Sequence, residues 1–254
     1  MREEFIKKNP MNAVPTIKKS NYLAKQNKEV LPVCETITVF TDEEIEKFKA
    51  EAYKKYPSGK PKHNQASAYI LMLNTGLRTA EALGLINSDI DLEKKVMHIQ
   101  RGVKEAQKRD GTERKSGREI VVGKLKTASS KRIVPLNETA IQAIIELRNE
   151  RYFGEDAPLI PDADGNFTRP LNLRKRFYSI LDAAGIEKKG LHSLRHTFAT
   201  KLVTGVRADD GTVKALTPRQ VADLLGHTTS EITEMYYVKR NTDMLMGVTN
   251  GFEL

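Results

Sequence analysis

The sequence predicts an α+β fold that is mainly α-helical and carries a small antiparallel β-sheet. Three observations predict it. Apolar residues recur three and four apart over most of the chain, and residues suited to helix caps stand at the ends of those stretches. Between about Val96 and Leu136 the pattern changes to one that suits extended strands separated by turns. With 254 residues and 39% hydrophobic content the chain is long enough to bury a real core, and it contains no internal repeat.

Residues 1 to about 35 contain Pro10, Pro15 and Pro32 among many lysines and lack sustained apolar periodicity, so they read as a linker or the frayed end of something preceding. Thr41-Asp42-Glu43-Glu44 has the spacing of a capping box and opens a first helix with Ile45, Phe48 and Ala52 on its apolar face. A second apolar helix, roughly Asn64 to Asn74, is expected to stop at Thr75-Gly76, where glycine takes the left-handed conformation cheaply. Val96, His98, Glu119 to Val122 and Arg132 to Val134 suit strands, with turns at Asp110-Gly111 and Ala128-Ser129-Ser130.

Asn137 then caps a helix whose expected buried face is Ala140, Ile141, Ile144 and Ile145, and a further helix is expected from about Asn172 to Ala184, ending at Gly185. Leu194, Phe198 and Leu202 form the stripe of the next. Thr217-Pro218-Arg219-Gln220 supplies a capping box and a first-turn proline for Val221, Leu224 and Leu225, before Gly226 stops the last helix of this series.

Composition narrows the function. The chain carries 42 lysines and arginines against 33 acidic residues, a formal charge of +9, which favours a polyanionic partner. The excess is concentrated: residues 101 to 132 hold eleven basic side chains and four acidic ones. A solvated charged loop has the same composition, so charge alone does not identify a nucleic-acid surface. The single cysteine, Cys34, has no partner for a disulfide or a thiolate metal site and reads as inert. No signal peptide and no apolar run of membrane-spanning length is present, so a soluble, cytoplasmic protein without membrane association is expected.

Four segments far apart in sequence contain basic or hydroxyl side chains that a helical core does not require. In Thr75-Gly76-Leu77-Arg78-Thr79-Ala80-Glu81, Arg78 and Glu81 stand three apart at a helix start, so the carboxylate can brace the guanidinium while its fork faces an anion. A surface ion pair has the same pattern. In Leu191-His192-Ser193-Leu194-Arg195-His196-Thr197-Phe198, His192 and Arg195 are placed to reach one anion near a helix N-terminus. His196 beside them reads as a histidine bonded within the fold. The third segment runs from Gly226-His227 to Tyr236-Tyr237, and the fourth is the expected hairpin Leu125-Lys126-Thr127-Ala128-Ser129-Ser130-Lys131-Arg132. No Walker-type glycine loop, HExxH run or carboxylate cluster for two metals appears, so phosphoryl chemistry here would rely on cationic side chains.

The ordered set Thr-Gly-Leu-Arg-x-x-Glu-Ala-Leu, Lys-Thr-x-x-Ser-x-Arg, His-x-Leu-Arg-His-Thr-Phe-Ala-Thr and Leu-Leu-Gly-His, with a tyrosine nine or ten residues on, resembles the tyrosine recombinases, most of all the integrases of phages and integrative elements. The resemblance covers about residues 36 to 240. It implies a tyrosine-recombinase catalytic domain, with Arg78, Lys126, His192, Arg195 and His227 as catalytic cations and Glu81 as the brace of Arg78. It also implies a tyrosine nucleophile, a covalent 3′-phosphotyrosine and no metal or nucleotide cofactor.

Spacing leaves Tyr236 and Tyr237 both open as the nucleophile. Periodicity favours Tyr237, because Ile232, Met235 and Tyr236 share one apolar face, and Tyr237-Val238-Lys239 resembles the Tyr-x-His ending of ten-spaced integrases. The expected partners are a double-stranded DNA recombination site, further copies of the chain in a tetramer on DNA, and an accessory DNA-bending or excision protein.

Two features depart from the family pattern. Only about 35 residues precede the catalytic domain, so they are expected to be the remnant of a DNA-binding domain and the chain a fragment or truncated gene. The connection from Val206 to Leu216 is longer than the usual turn and is expected to lengthen a surface loop. Residues 241 to 254 form a C-terminal tail expected to pack on a neighbouring subunit or on its own domain. The alternatives are a type IB topoisomerase-like strand transferase and a regulator with a decayed active site.

Overall fold

The computed structural model describes residues 38–110, 113–124, 131–207 and 212–226, all within the second of the two units into which the chain divides, Ile37–Leu254. Helix α1, Asp42–Ala52, starts at the expected box: the Thr41 hydroxyl accepts from the Glu44 amide at 3.2 Å and the Glu44 carboxylate accepts from the Thr41 amide at 2.9 Å. Helix α2, Ser67–Thr75, is buried on every side, as its continuous apolar sequence requires. It starts three residues later than the apolar run suggests. Gln65 takes a left-handed φ of 55°, with its amide N–H donating to both oxygens of Glu150, and the chain becomes helical only beyond it.

Helix α3, Thr79–Gly84, follows Gly76, which ends α2 in the left-handed conformation as expected. Next come β1, Ile90–Asp91; β2, Val96–Ile99; β3, Arg101–Asp110; β4, Glu113–Lys124; and β5, Arg132–Pro135. The strands form two antiparallel sheets rather than one. A three-stranded sheet has the order β1-β2-β5, and a separate ribbon pairs β3 with β4. The register runs from Arg101 opposite Lys124 to Gln107 opposite Arg118. There it shifts, so that one residue of β3 faces three of β4 before Arg109 meets Arg114. Gly117, at φ 98°, supplies the backbone conformation this bulge needs. The expected turn residue Gly111 lies outside the described residues.

Helix α4, Glu138–Glu150, is capped by the Asn137 side chain, which accepts from the Ala140 amide at 2.8 Å. Its buried face is Ala140, Ala143, Ile144 and Leu147. Ile145 is exposed instead, because the face turned to α2 is rotated toward the i+3 and i+7 positions from Ala140. Helix α5, Pro170–Ala183, begins two residues earlier than expected, with proline at its first position where no amide is needed. Helix α6 is His192–Thr204 and α7 is Pro218–Leu225, capped by Thr217 and ended by a left-handed Gly226 as the sequence indicates. The long connection between α6 and α7 contains a short antiparallel ladder, β6, Val206–Arg207, with β7, Val213–Lys214, rather than plain loop.

One core fills the space between α1, α2, α4 and α5, with Phe40, Phe48, Tyr69 and Phe177 packed edge-on and tilted at centroid distances of 5.3 to 6.4 Å. The Tyr69 hydroxyl stays satisfied in this core by donating to the Leu173 carbonyl at 2.7 Å. Leu194 belongs to this core. Phe198 and Leu202, expected on the same stripe, are half-buried against a second cluster of Ala199, Val221 and Leu225 that seats α7 on α6. Among the described residues no helix is long and apolar enough to cross a membrane.

Candidate active site

The site is built where three helix ends meet. Helix α2 stops at Gly76, the chain runs extended through Leu77 and Arg78, and α3 begins at Thr79, so Arg78 stands at a helix start with an extended backbone. Glu81, one turn into α3, is 2% exposed. Its Oε2 accepts from the Arg78 amide at 2.9 Å and its Oε1 accepts from Arg78 Nη1 at 2.7 Å, which is the brace the sequence spacing predicts.

The same carboxylate binds a second arginine that the sequence reading did not place there. Arg132, the first residue of β5, donates Nη1 to Glu81 Oε1 at 3.1 Å and Nη2 to Oε2 at 2.9 Å. This is a fork-to-fork pair, and both partners are buried, with side chains 7% and 2% exposed. The signal was present in the sequence, because Arg132 closes the Lys-Thr-x-x-Ser-x-Arg motif, but nothing local says that a residue 51 positions away completes the Arg78 brace. Burial pushes the Glu81 carboxyl up; Arg132 and then Arg78 more than reverse this and hold it below its ordinary value, so it is ionised at neutral pH.

Arg195 lies one turn into α6, 6% exposed. Its Nη1 donates to the Gly76 carbonyl at 2.7 Å and its Nη2 to the Leu225 carbonyl at 2.8 Å. The two other arginines reach the same helix end. Arg132 Nε donates to the Leu224 carbonyl at 2.8 Å, while Arg78 approaches the carbonyls of Leu225 and Gly226 at 3.4 Å. The last carbonyls of a helix have no partners within it and carry partial negative charge. Here three guanidiniums supply the donors, which fixes both the arginines and the C-terminus of α7.

His192, at the start of α6, is exposed and lines a cleft beside this cluster. Loss of hydration, followed by the charges of Arg195 and Arg78, lowers its pKa, so the imidazole is neutral at neutral pH. His196 has its ring centroid 6.4 Å from that of His192 and is lowered likewise, by desolvation first and then by His192 and Arg195. The described part of the site thus assembles Arg78, Arg195 and His192 with the brace Glu81 and adds Arg132. Arg78 and Arg132 share one carboxylate and Arg195 adds a third permanent cation at the same helix end, leaving an anion-attracting centre. Lys126, His227, Tyr236 and Tyr237 lie outside the described residues, as do the Ala128-Ser129-Ser130 turn, Cys34 and the 241–254 tail. His227 follows Gly226 directly in sequence.

The family model described as "Phage integrase family" matches residues 38–243. Among curated proteins, the chain is 32% identical over 214 residues to a "Tyrosine recombinase XerC-like" protein of Caldanaerobacter subterraneus, covering 79% of this chain and 50% of that one. It is 28% identical over 178 residues to the "Tyrosine recombinase XerC" of Corynebacterium glutamicum, covering 69% and 46%. The chain therefore spans about half the length of these relatives.

Among solved structures, the Tn1549 transposon integrase in complex with transposon right end DNA superposes with a TM-score of 0.65 at 20% identity, covering 97% of this chain and 72% of that one. The XerH recombinase bound to palindromic difH substrate, a post-cleavage complex, gives 0.57 at 24% identity, covering 84% and 52%. At these identities the likeness is one of fold.

Proposed function

The chain belongs to the phage integrase family, the tyrosine recombinases, and from that premise we propose that it is the catalytic part of a site-specific recombinase or integrase that moves a mobile element by cutting and rejoining duplex DNA. The observation that carries the reading is the convergence of Arg78 and Arg132 on one buried carboxylate, and of these two with Arg195 on one helix end, beside neutral His192. Two arginine forks held before substrate arrives suit the extra negative charge of a pentacoordinate phosphorus, because fixed donors need no reorganisation as that charge develops.

In this reading the Tyr237 phenolate oxygen attacks a backbone phosphorus and the bond to the 5′ oxygen breaks. The electron pair goes to that oxygen, which takes a proton from the Lys126 ammonium. Arg78 and Arg195 hold the non-bridging oxygens, and His192, neutral, donates a hydrogen bond to one of them, with His227 as the further donor. The product is a tyrosyl 3′-phosphate and a free 5′ hydroxyl. Because the phosphoester is retained, a 5′ hydroxyl from another strand reverses the step without an external energy source. Residues 36 to 240 act as the catalytic domain, on DNA as a tetramer with an accessory DNA-bending or excision protein, and the 241–254 tail links neighbouring subunits.

The test is covalent capture. The full chain is incubated with a pool of nicked duplexes of randomised sequence, in which the released end is lost after cutting, and the product is run on a denaturing gel. Wild type and Tyr236→Phe are expected to carry DNA through the gel, and Tyr237→Phe to bind duplex but carry none. A phosphate mapped to Tyr236 overturns the choice of nucleophile; no adduct on any duplex overturns the reaction. Resealing that only ever restores the original partner marks a topoisomerase.

A further inference from the structure

A cleft of about 410 Å³ adjoins the arginine site, lined by Thr79, Glu105, Arg118, Arg174, Tyr178 and His192 among others. Its walls come from four elements: Thr79 from α3, Glu105 and Arg118 from the ribbon β3–β4, Arg174 and Tyr178 from α5, and His192 from α6. Arg169, immediately before α5, joins the first two. Its Nη1 lies 3.9 Å from Glu105 Oε1, and Arg118 Nη1 lies 3.8 Å from Glu105 Oε2. The carboxylate is the buried member of this trio, with a side chain 12% exposed against 70% for Arg118 and 50% for Arg169.

This repeats, at the ribbon, the arrangement at Glu81: one sheltered acid between two arginines from different segments. The bonds differ in length. At Glu81 the contacts are 2.7 to 3.1 Å, and both guanidiniums also reach carbonyls at the end of α7. At Glu105 they are long, the two guanidiniums face solvent, and Arg174 adds a third positive charge to the same cleft. One carboxylate does not neutralise three arginines. The remaining charge faces a recess whose floor, Pro170, Leu171 and Leu191 with Tyr178, is apolar.

Resting on the strand-transfer reading above, we propose that this cleft holds a backbone phosphate of the bound DNA strand next to the one being cut, with its sugar against the apolar floor. Arg118, Arg169 and Arg174 bind that phosphate, and Glu105 is a positioning residue that aims Arg118 and Arg169 into the recess. A second fixed phosphate sets the register of the strand relative to Arg78 and Arg195, which a single charged site cannot do. The occupant is a phosphodiester because the donors are forks in excess over acid, and its neighbour on the strand lies within the continuous path through Thr79 and His192.

The experiment measures how the affinity of the full chain for a short mixed-sequence duplex changes with salt. Each neutralised phosphate contributes about 0.9 to the slope of log affinity against log salt. Arg118→Ala, Arg169→Ala and Arg174→Ala are each expected to weaken binding and reduce that slope by up to about this amount, while Lys94→Ala, at an exposed lysine paired to Asp91, leaves it unchanged. Glu105→Gln removes a negative charge and on charge alone would tighten binding; it is expected to weaken it, and Glu105→Asp to restore part of the loss. The arginines are exposed, so melting temperatures near wild type are expected and serve as the folding control.

Slopes that stay at the wild-type value in all three arginine variants overturn the cleft, and tighter binding by Glu105→Gln overturns its positioning role. Covalent capture separates the two proposals. Reduced slopes without any wild-type adduct overturn the strand-transfer reaction and leave the phosphate site, whereas a wild-type adduct with unchanged slopes overturns the site alone.

Discussion

Arg195 is bonded to two helix-terminal carbonyls while its charge stands beside His192, so a substitution that keeps the charge and removes the fork separates geometry from electrostatics. Arg195→Lys is expected to slow adduct formation by about 10²- to 10³-fold, the usual cost of losing one fixed donor, with duplex affinity at constant salt changed only a few-fold. It should also lower the melting temperature, because one ammonium cannot span the Gly76 and Leu225 carbonyls and a buried acceptor is left unmet. Arg78→Lys should show the catalytic loss with less effect on stability, since its side chain is 34% exposed.

Glu81 gives the site a pH signature. Its folded pKa lies below the ordinary 4.5, so the stability it contributes is complete above that value and is lost as pH falls through the folded one. Melting temperature measured against pH should fall below about pH 4.5 in wild type, and part of that fall should be missing in Glu81→Gln, whose plateau at neutral pH lies lower. Equal slopes in the two proteins would show that the carboxylate does not carry the effect.

At the scale of elements, the junction between α2 and α3 is the most exacting. Gly76 has φ 63°, and a Cβ built there would lie 2.5 Å from a Phe198 ring carbon and 2.6 Å from Leu225 Cδ2. Gly76→Ala is expected to cost about 2 to 4 kcal/mol, from the left-handed conformation and from overpacking against α6 and α7. Gly59→Ala is the control for the first term, since Gly59 also has positive φ but nothing within 4 Å. Denaturant titration of both distinguishes them; equal losses would remove the packing argument.

The same junction shows what was legible in sequence. Caps and stops depend on residues within one turn, so Thr41, Asn137, Thr217, Gly76 and Gly226 could be read directly. The helix start at Ser67 could not, because Gln65 is held left-handed by Glu150, 85 residues away. The division of the strands into two sheets was equally hidden, since β2 pairs with β5 rather than with the β3 strand that follows it. At the site, the motifs located Arg78, Glu81, His192 and Arg195. The arginine bonds to the end of α7 are contacts of backbone carbonyls, which leave no trace in residue type.

Over the whole molecule, much of the basic cluster seen in the sequence falls on the ribbon β3–β4, which stands as a separate two-stranded sheet packed against α3. Gly84 and Gly102 permit that packing: a Cβ on Gly84 would lie 2.7 Å from the Arg101 carbonyl oxygen. Among the described residues no third strand pairs with either member of the ribbon. Long unpaired edges are templates for strand addition, and lysines and bulges are the usual protection. Lys104, Lys108 and Arg118, with the irregularity at Gln107, are features of that kind on this ribbon. Raising salt screens that repulsion, so light scattering should show slow self-association of concentrated protein that Lys104→Val accelerates and added duplex suppresses. Its handling in the laboratory would then follow from the same ribbon, with concentrated protein expected to keep better at low salt than at high.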